Sequence, residues 1–273
     1  MNVKRILTAL IGFPIVLCLL VFGNKYILDV ILAIIAIISM NEYINCVSKK
    51  AKVISWISYL CVASIAFLHI VSIETIKSIA FLGIPVLLLI LFFHVIVTNM
   101  KITFKDISYT LMGILYILCF IMFFSLTYGV TGDISGKILI WYIILTAWGT
   151  DVFAYLVGKT LGLGKTKFSK VSPNKSIEGC IAGSIGAVVL SLIYTVGINS
   201  CFGLQISYIT IGIISLVLSI IGQIGDFSAS VIKRYAEIKD FSSLFPGHGG
   251  MLDRIDSVMF IAPFAYLLLT MFL

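Results

Sequence analysis

Residues 205–233 read Q-I-S-Y-I-T-I-G-I-I-S-L-V-L-S-I-I-G-Q-I-G-D-F-S-A-S-V-I-K, and a single charged residue, Asp226, precedes Lys233 in that length. A run this apolar and this long suits an α-helix crossing the roughly 30 Å of bilayer hydrocarbon, for which about 20 residues suffice. Similar runs recur along the chain. We count nine spans, over 5–23, 26–45, 53–72, 76–98, 106–129, 137–158, 174–197, 205–233 and 252–273. With 60% hydrophobic and 11% charged residues and a mean hydropathy of +1.16, the 273 residues do not read as a soluble domain. Lipid offers backbone groups no hydrogen-bond partner, and the alternation of a barrel strand is absent, so the spans are expected to be helices. The expected fold class is all-α, a polytopic membrane bundle of about nine helices.

Charge sets the orientation. A cytoplasmic N-terminus puts Lys4, Arg5, Lys49, Lys50, Lys52, Lys101, Lys105, Lys159, Lys165, Lys167, Lys170, Lys175, Lys233, Arg234, Lys239 and Arg254 inside. Of the 19 Lys and Arg, only Lys25, Lys77 and Lys137 are then left outside. The positive-inside rule therefore predicts a cytoplasmic N-terminus and an external C-terminus in a multi-pass cell-membrane protein. Cations spread over five loops along one membrane face also account for the net charge of +7, which suits anionic headgroups rather than nucleic acid. Residues 6–23 resemble a signal sequence, but no A-x-A cleavage pattern follows and further spans come at once, so they read as a retained first helix. Cys18, Cys46, Cys61, Cys119, Cys180 and Cys201 lie mostly within apolar spans and form no C-x-x-C pair, so neither metal nor disulfide roles are expected.

The chain divides near residue 130. Residues 1–130 hold about five helices with few intramembrane polar groups, and His69 and His94 there have no acidic or cysteine neighbours at ligand spacing. Both histidines read as packing or interfacial residues. Residues 131–273 hold about four helices, and seven of the twelve acids, Asp151, Glu178, Asp226, Glu237, Asp240, Asp253 and Asp256, fall between 151 and 256.

Three polar constellations stand out in that second half. In W-G-T-D-V-F-A-Y-L-V-G-K, residues 148–159, Asp151 sits inside the sixth span. A carboxylate there costs a few kcal/mol unless it faces a cavity or a partner; a helix–helix hydrogen bond is the plainer alternative. In S-P-N-K-S-I-E-G, residues 172–179, Ser172 suits an N-cap and Pro173 the first helical position. Gly179, Gly183 and Ala187 then recur every four residues and should let another helix approach closely. Capping and packing leave Lys175 and Glu178 unexplained, and a cavity at the cytoplasmic boundary would use both.

The third constellation starts at Gly225. Asp226, Ser230 and Lys233 share one helix face at the cytoplasmic end of the eighth span. Beyond a turn at Pro246-Gly247, the pair Gly249-Gly250 offers backbone without side-chain bulk, and Asp253 and Asp256 project together from the helix that follows. Carboxylates arriving from two helices make a suitable oxygen set for Mg2+, and Lys and Arg around it can neutralise phosphate. A solvated helix end with snorkelling cations accounts for Glu237 and Asp240. It accounts poorly for H-G-G-x-x-D-R-x-D.

The pattern S-x-I-K-R, four residues, K-D and then F-P-G-H-G-G-M-L-D-R-I-D, filled from Ser230 to Asp256, resembles the signature of the phosphatidate cytidylyltransferase family, also called CDP-diacylglycerol synthases. The segments at 151–159, 172–179 and 225–230 are similar to family segments in the same order. The resemblance is strong over about residues 148–260, with Lys159 where many members carry arginine and Ser176 where threonine is usual. The D-G-x-x-A-R opening of CDP-alcohol phosphotransferases is absent.

The resemblance implies conversion of CTP and phosphatidic acid to CDP-diacylglycerol and pyrophosphate in phospholipid biosynthesis. It implies Mg2+ on Asp226, Asp253 and Asp256, with a second cation such as K+ nearby, and it favours a homodimer. Lys233, Arg234, Lys239, His248 and Arg254 are then the groups for the triphosphate and the lipid phosphate. Asp151, Lys159, Ser172, Lys175, Glu178, Ser230, Gly249 and Gly250 would line the neighbouring substrate cavity. A CTP-using polyprenol or phytol kinase is the competing enzyme. An ion-coupled transporter fits less well, because the carboxylates crowd one membrane face rather than the bilayer midplane.

Overall fold

The computed structural model describes residues 3–160, 166–167, 171–173, 175–245, 247 and 249–273. Among them there is no β-strand, only two isolated bridges, and the fold is all-α. The helices are α1 (Val3–Phe22), α2 (Lys25–Val47), α3 (Ser55–Ala63, continued by a tight turn Ser64–Phe67), α4 (Ile73–Val97), α5 (Phe104–Ile114), α6 (Phe120–Tyr128), α7 (Gly136–Tyr155), α8 (Ile177–Phe202), α9 (Tyr208–Tyr235) and α10 (Leu252–Phe272). A π turn at Leu115–Cys119 joins α5 to α6, and another at Leu156–Thr160 extends α7.

Among the described residues, six helical stretches are long and apolar enough to cross a membrane: Lys25–Val47, Phe104–Tyr128, Gly136–Gly158, Ile177–Phe202, Tyr208–Tyr235 and Leu252–Phe272. The chain is a multi-pass membrane protein. Within the stretch expected to span over 53–72, the apolar helix Ser55–Phe67 covers about 20 Å at 1.5 Å per residue. Its continuation is tied down by the buried Asp29. That carboxylate accepts the His69 backbone N–H at 3.0 Å, bonds His69 Nδ1 at 2.9 Å and accepts the Ser125 hydroxyl.

Helix starts follow local chemistry. Asn24 accepts the Ile27 N–H at 2.9 Å to begin α2, and Thr103 and Asp106 form a reciprocal capping box at α5. At α8 the cap is Ser176, which accepts the Gly179 N–H at 3.1 Å, and not the expected Ser172. An antiparallel bridge between Lys167 and Ser176 holds Ser176 extended, so helical geometry begins only at Ile177.

Two compact units are present, one comprising the chain up to Ser125 with Asp240–Leu252, the other Leu126–Lys239 with Asp253–Leu273. In the first, Tyr43 is buried and its hydroxyl donates to the Tyr109 carbonyl at 3.0 Å, with its ring against Gly113. The Lys52 N–H donates to Asp106 at 2.6 Å and the Ile54 N–H to Thr110 at 3.0 Å, fixing the start of α3 against α5. His94 packs edge-on against Trp56 with ring centroids 6.0 Å apart, the packing role expected of it.

In the second unit, α7 and α8 meet along the small-residue ridge expected at Gly179, Gly183 and Ala187. A Cβ on Gly183 would sit 2.7 Å from the Thr150 carbonyl oxygen, and one on Gly149 would sit 3.0 Å from the Ala187 Cα. Close approach of this kind is how helices associate where no hydrophobic drive separates helix from lipid. On another face of α8, Ile181, Ile185, Val189, Ile193 and Val196 are exposed in a stripe, as a lipid-facing surface requires. Helices α9 and α10 also approach closely, since a Cβ on Gly225 would lie 2.8 Å from both the Asp256 carbonyl and the Phe260 Cβ.

Candidate active site

The second unit gathers the charged residues singled out from the sequence. Asp226, on α9, is ion-paired with Lys175, which lies just before α8 and whose ammonium also sits over the Phe227 ring at 4.5 Å from its centroid. Two turns further along the same face of α9, Lys233 Nζ meets Asp253 Oδ1 at 2.6 Å, with side-chain exposures of 12% and 4%. Asp256, on the next turn of α10, is 8% exposed and accepts the Ser257 N–H at 2.8 Å. It lies within electrostatic reach of Asp226, Lys233 and Asp151. Asp151 is in turn within reach of Asp226, Lys175 and Arg254, and it is exposed on α7. Three helices, α7, α9 and α10, and the approach to α8 thus bring carboxylates and cations to one place.

Other candidates have different neighbours. Glu178 accepts the Thr166 N–H at 3.3 Å, so it closes the loop before α8. Ser172 lies in a turn, its carbonyl accepting the Lys175 N–H at 3.1 Å, which poises Lys175 toward Asp226. Arg234 is exposed and braces the same turn, with Nε 3.4 Å from the Val171 carbonyl and a second bond to the Ile238 carbonyl at 3.3 Å. Ser230 is half-buried on α9, while Lys239 and Arg254 are exposed. Lys159 falls in the π turn that extends α7. His248, Pro246, Lys165 and Lys170 lie outside the described residues.

Gly249 and Gly250 belong to the first unit. Gly249 has φ +81° and its carbonyl accepts the Phe245 N–H at 2.9 Å, closing a tight turn that a residue with a Cβ resists. Gly250, expected to offer backbone without side-chain bulk, lies against the Glu42 carboxylate.

Two acidic residues escaped the sequence reading. Asp29 and Glu42 are both buried in α2, in the half where few intramembrane polar groups were expected. The signal that finds them is the cost of a carboxylate inside an apolar span, which calls for a partner by default. Asp29 finds His69 and Ser125. His69 thus has an acidic neighbour after all, 40 residues away in sequence.

Metal fit rests on donor chemistry. Among the described residues, no group of three or more His, Cys, Asp or Glu is gathered tightly enough to hold an ion. Asp226, Asp253 and Asp256 carry carboxylate oxygens, the donor type Mg2+ prefers. Lysine ammonium groups pair with two of them, Lys175 with Asp226 and Lys233 with Asp253.

Comparison with known proteins identifies the class. The cytidylyltransferase family model matches residues 3–272, and the chain belongs to that family. It is 39% identical to a phosphatidate cytidylyltransferase of Bacillus subtilis (strain 168) over 186 residues, 68% of this chain and 66% of that protein. It is 31% identical to the phosphatidate cytidylyltransferase of Staphylococcus haemolyticus over 265 residues, 97% of this chain and 98% of that one. The Staphylococcus aureus (strain COL) protein of the same name is 32% identical over 272 residues, with 97% and 98% covered.

Proposed function

We propose that this enzyme is a phosphatidate cytidylyltransferase, forming CDP-diacylglycerol and pyrophosphate from CTP and phosphatidic acid. The observation that carries the reading is the cluster of Lys175, Asp226, Lys233, Asp253 and Asp256, supplied by α9, α10 and the approach to α8. A phosphate oxygen of the lipid attacks the α-phosphorus of CTP. As that P–O bond forms, the bond from the α-phosphorus to the bridging oxygen breaks, and pyrophosphate leaves in line. The lipid phosphate is already anionic near neutral pH, so no general base is needed and catalysis rests on positioning and charge neutralisation. Lys175, Lys233 and Arg254 grip phosphate oxygens, with Arg234 and Lys239 at the margin. Asp226, Asp253 and Asp256 would hold Mg2+, which when bound neutralises triphosphate charge. A second cation such as K+ and a homodimeric state belong to the same reading.

Isotope transfer tests the reaction. Label at the α-phosphorus of CTP is expected to appear in the lipid, and γ-label to leave in pyrophosphate; a CTP-dependent lipid kinase does the reverse, so γ-label in the lipid sinks the assignment. One in-line displacement also inverts an α-phosphorothioate centre, whereas an enzyme-bound intermediate retains it.

The reading includes nine spans with the N-terminus in the cytoplasm, which supports a cytoplasm-facing site in residues 131–273 at the cell membrane, where soluble CTP meets a membrane-held lipid. A reporter fused after Leu273 is then expected outside and one inserted near Lys167 inside. The same side for both is incompatible with this topology.

A further inference from the structure

Glu42 lies near the C-terminal end of α2, 4% exposed, and among the described residues the donors it meets come from the segment 242–252. Its Oε1 accepts the Ser242 hydroxyl at 2.6 Å and the Met251 N–H at 2.8 Å, and its Oε2 accepts the Leu252 N–H at 2.8 Å. Gly250 makes room for this, since a Cβ there would lie 2.6 Å from Oε1 and 2.7 Å from Oε2. Leu252 is the first residue of α10, so the carboxylate does what a local N-cap does elsewhere. It satisfies N–H groups that a helix start leaves unpaired, and it sets a negative charge at the positive end of the helix dipole. No Ser, Thr, Asp or Asn stands at 249–252 to do this locally, the sequence there being G-G-M-L.

We infer that Glu42 is a positioning residue for cytidylyl transfer, its buried carboxylate fixing the start of the helix whose next residues are Asp253 and Asp256. The inference rests on the proposed reaction for its kinetic consequence, but the restraint on residues 242–252 is independent of it. All three donors point at carboxylate oxygens, so charge and shape both matter. Glutamine matches the shape but turns an NH2 group toward a donor, whereas aspartate keeps two acceptor oxygens on a stem one methylene shorter. Ser242 links the same oxygen to the turn, because its hydroxyl oxygen also accepts the Leu244 N–H at 3.2 Å.

The test compares the full-length protein with Glu42→Gln, Glu42→Asp and Ser242→Ala, each purified in detergent and assayed per folded molecule. Glu42→Gln is expected to lower kcat about 10- to 100-fold, the scale of a small misplacement of reacting groups, with KM for CTP changed by less than about threefold. Glu42→Asp is expected to recover part of the loss, and Ser242→Ala to cost only a few-fold because the two backbone bonds remain. Amide hydrogen exchange is expected to quicken in peptides covering 242–256 and to stay unchanged in α7 and α8. Wild-type kcat in Glu42→Gln with unchanged exchange overturns the inference. So does a uniform loss of protection with normal activity per folded molecule, which marks Glu42 as bulk stability alone. If the wild-type protein itself makes no CDP-lipid, the reaction assignment fails, and the exchange comparison still decides whether Glu42 holds the helix start.

Discussion

Asp226→Asn is expected to lower CDP-lipid formation by about 10²- to 10³-fold or more while the helices stay folded, the scale seen when one preorganised electrostatic group is removed from an active site. Asparagine keeps the side chain's shape and one acceptor oxygen, so contact with Lys175 can persist in altered form. What it loses is the charge that balances Lys175 and faces Asp256 and Asp151 within the same cluster. In the proposed mechanism that charge also holds Mg2+, so raising Mg2+ recovers little if the ligand itself is gone. Turnover measured against Mg2+ concentration, beside circular dichroism and thermal unfolding of the same preparation, checks the expectation. Near-wild-type turnover at ordinary Mg2+ would remove Asp226 from the catalytic set.

The helical class and the cluster itself were legible in the sequence for one reason, that both rest on local pattern. Apolar run length specifies spans, and the i, i+4, i+7 spacing of Asp226, Ser230 and Lys233 puts them on one face wherever α9 goes. The ridge at Gly179, Gly183 and Ala187 was legible too, because small residues every four positions define a contact surface without naming the partner, which proves to be Thr150 and its neighbours on α7. The failures are non-local. Ser176 caps α8 because Lys167 pairs with it across the loop, and nothing in S-P-N-K-S favours the second serine over the first. Glu42 bonds residues about 200 positions downstream, and Asp29 bonds His69 and Ser125. Hydropathy recorded both acids only as minor interruptions of an apolar run, and Gly250 looked open because the carboxylate beside it belongs to a distant helix.

Lys233→Met is expected to destabilise the protein by about 3–5 kcal/mol, because it takes the lysine away from a carboxylate that remains 4% exposed. Asp253→Asn leaves the reverse imbalance, a buried ammonium facing an amide, and is expected to cost a similar amount. The double variant Lys233→Met/Asp253→Asn removes both charges and is expected to regain most of the lost stability, since replacing a buried pair outright is often near neutral. Activity follows another rule. Neither single variant nor the double one is expected to turn over appreciably, because the proposed reaction uses the ammonium on phosphate and the carboxylate on the metal, and restoring charge balance restores neither. Unfolding free energies in detergent for the four proteins, set beside their activities, separate the two roles. Stability changes that simply add, to within about 0.5 kcal/mol, would mean the pair is not coupled, and a double variant that recovers turnover along with stability would make the pair a structural tie rather than part of the catalytic machinery.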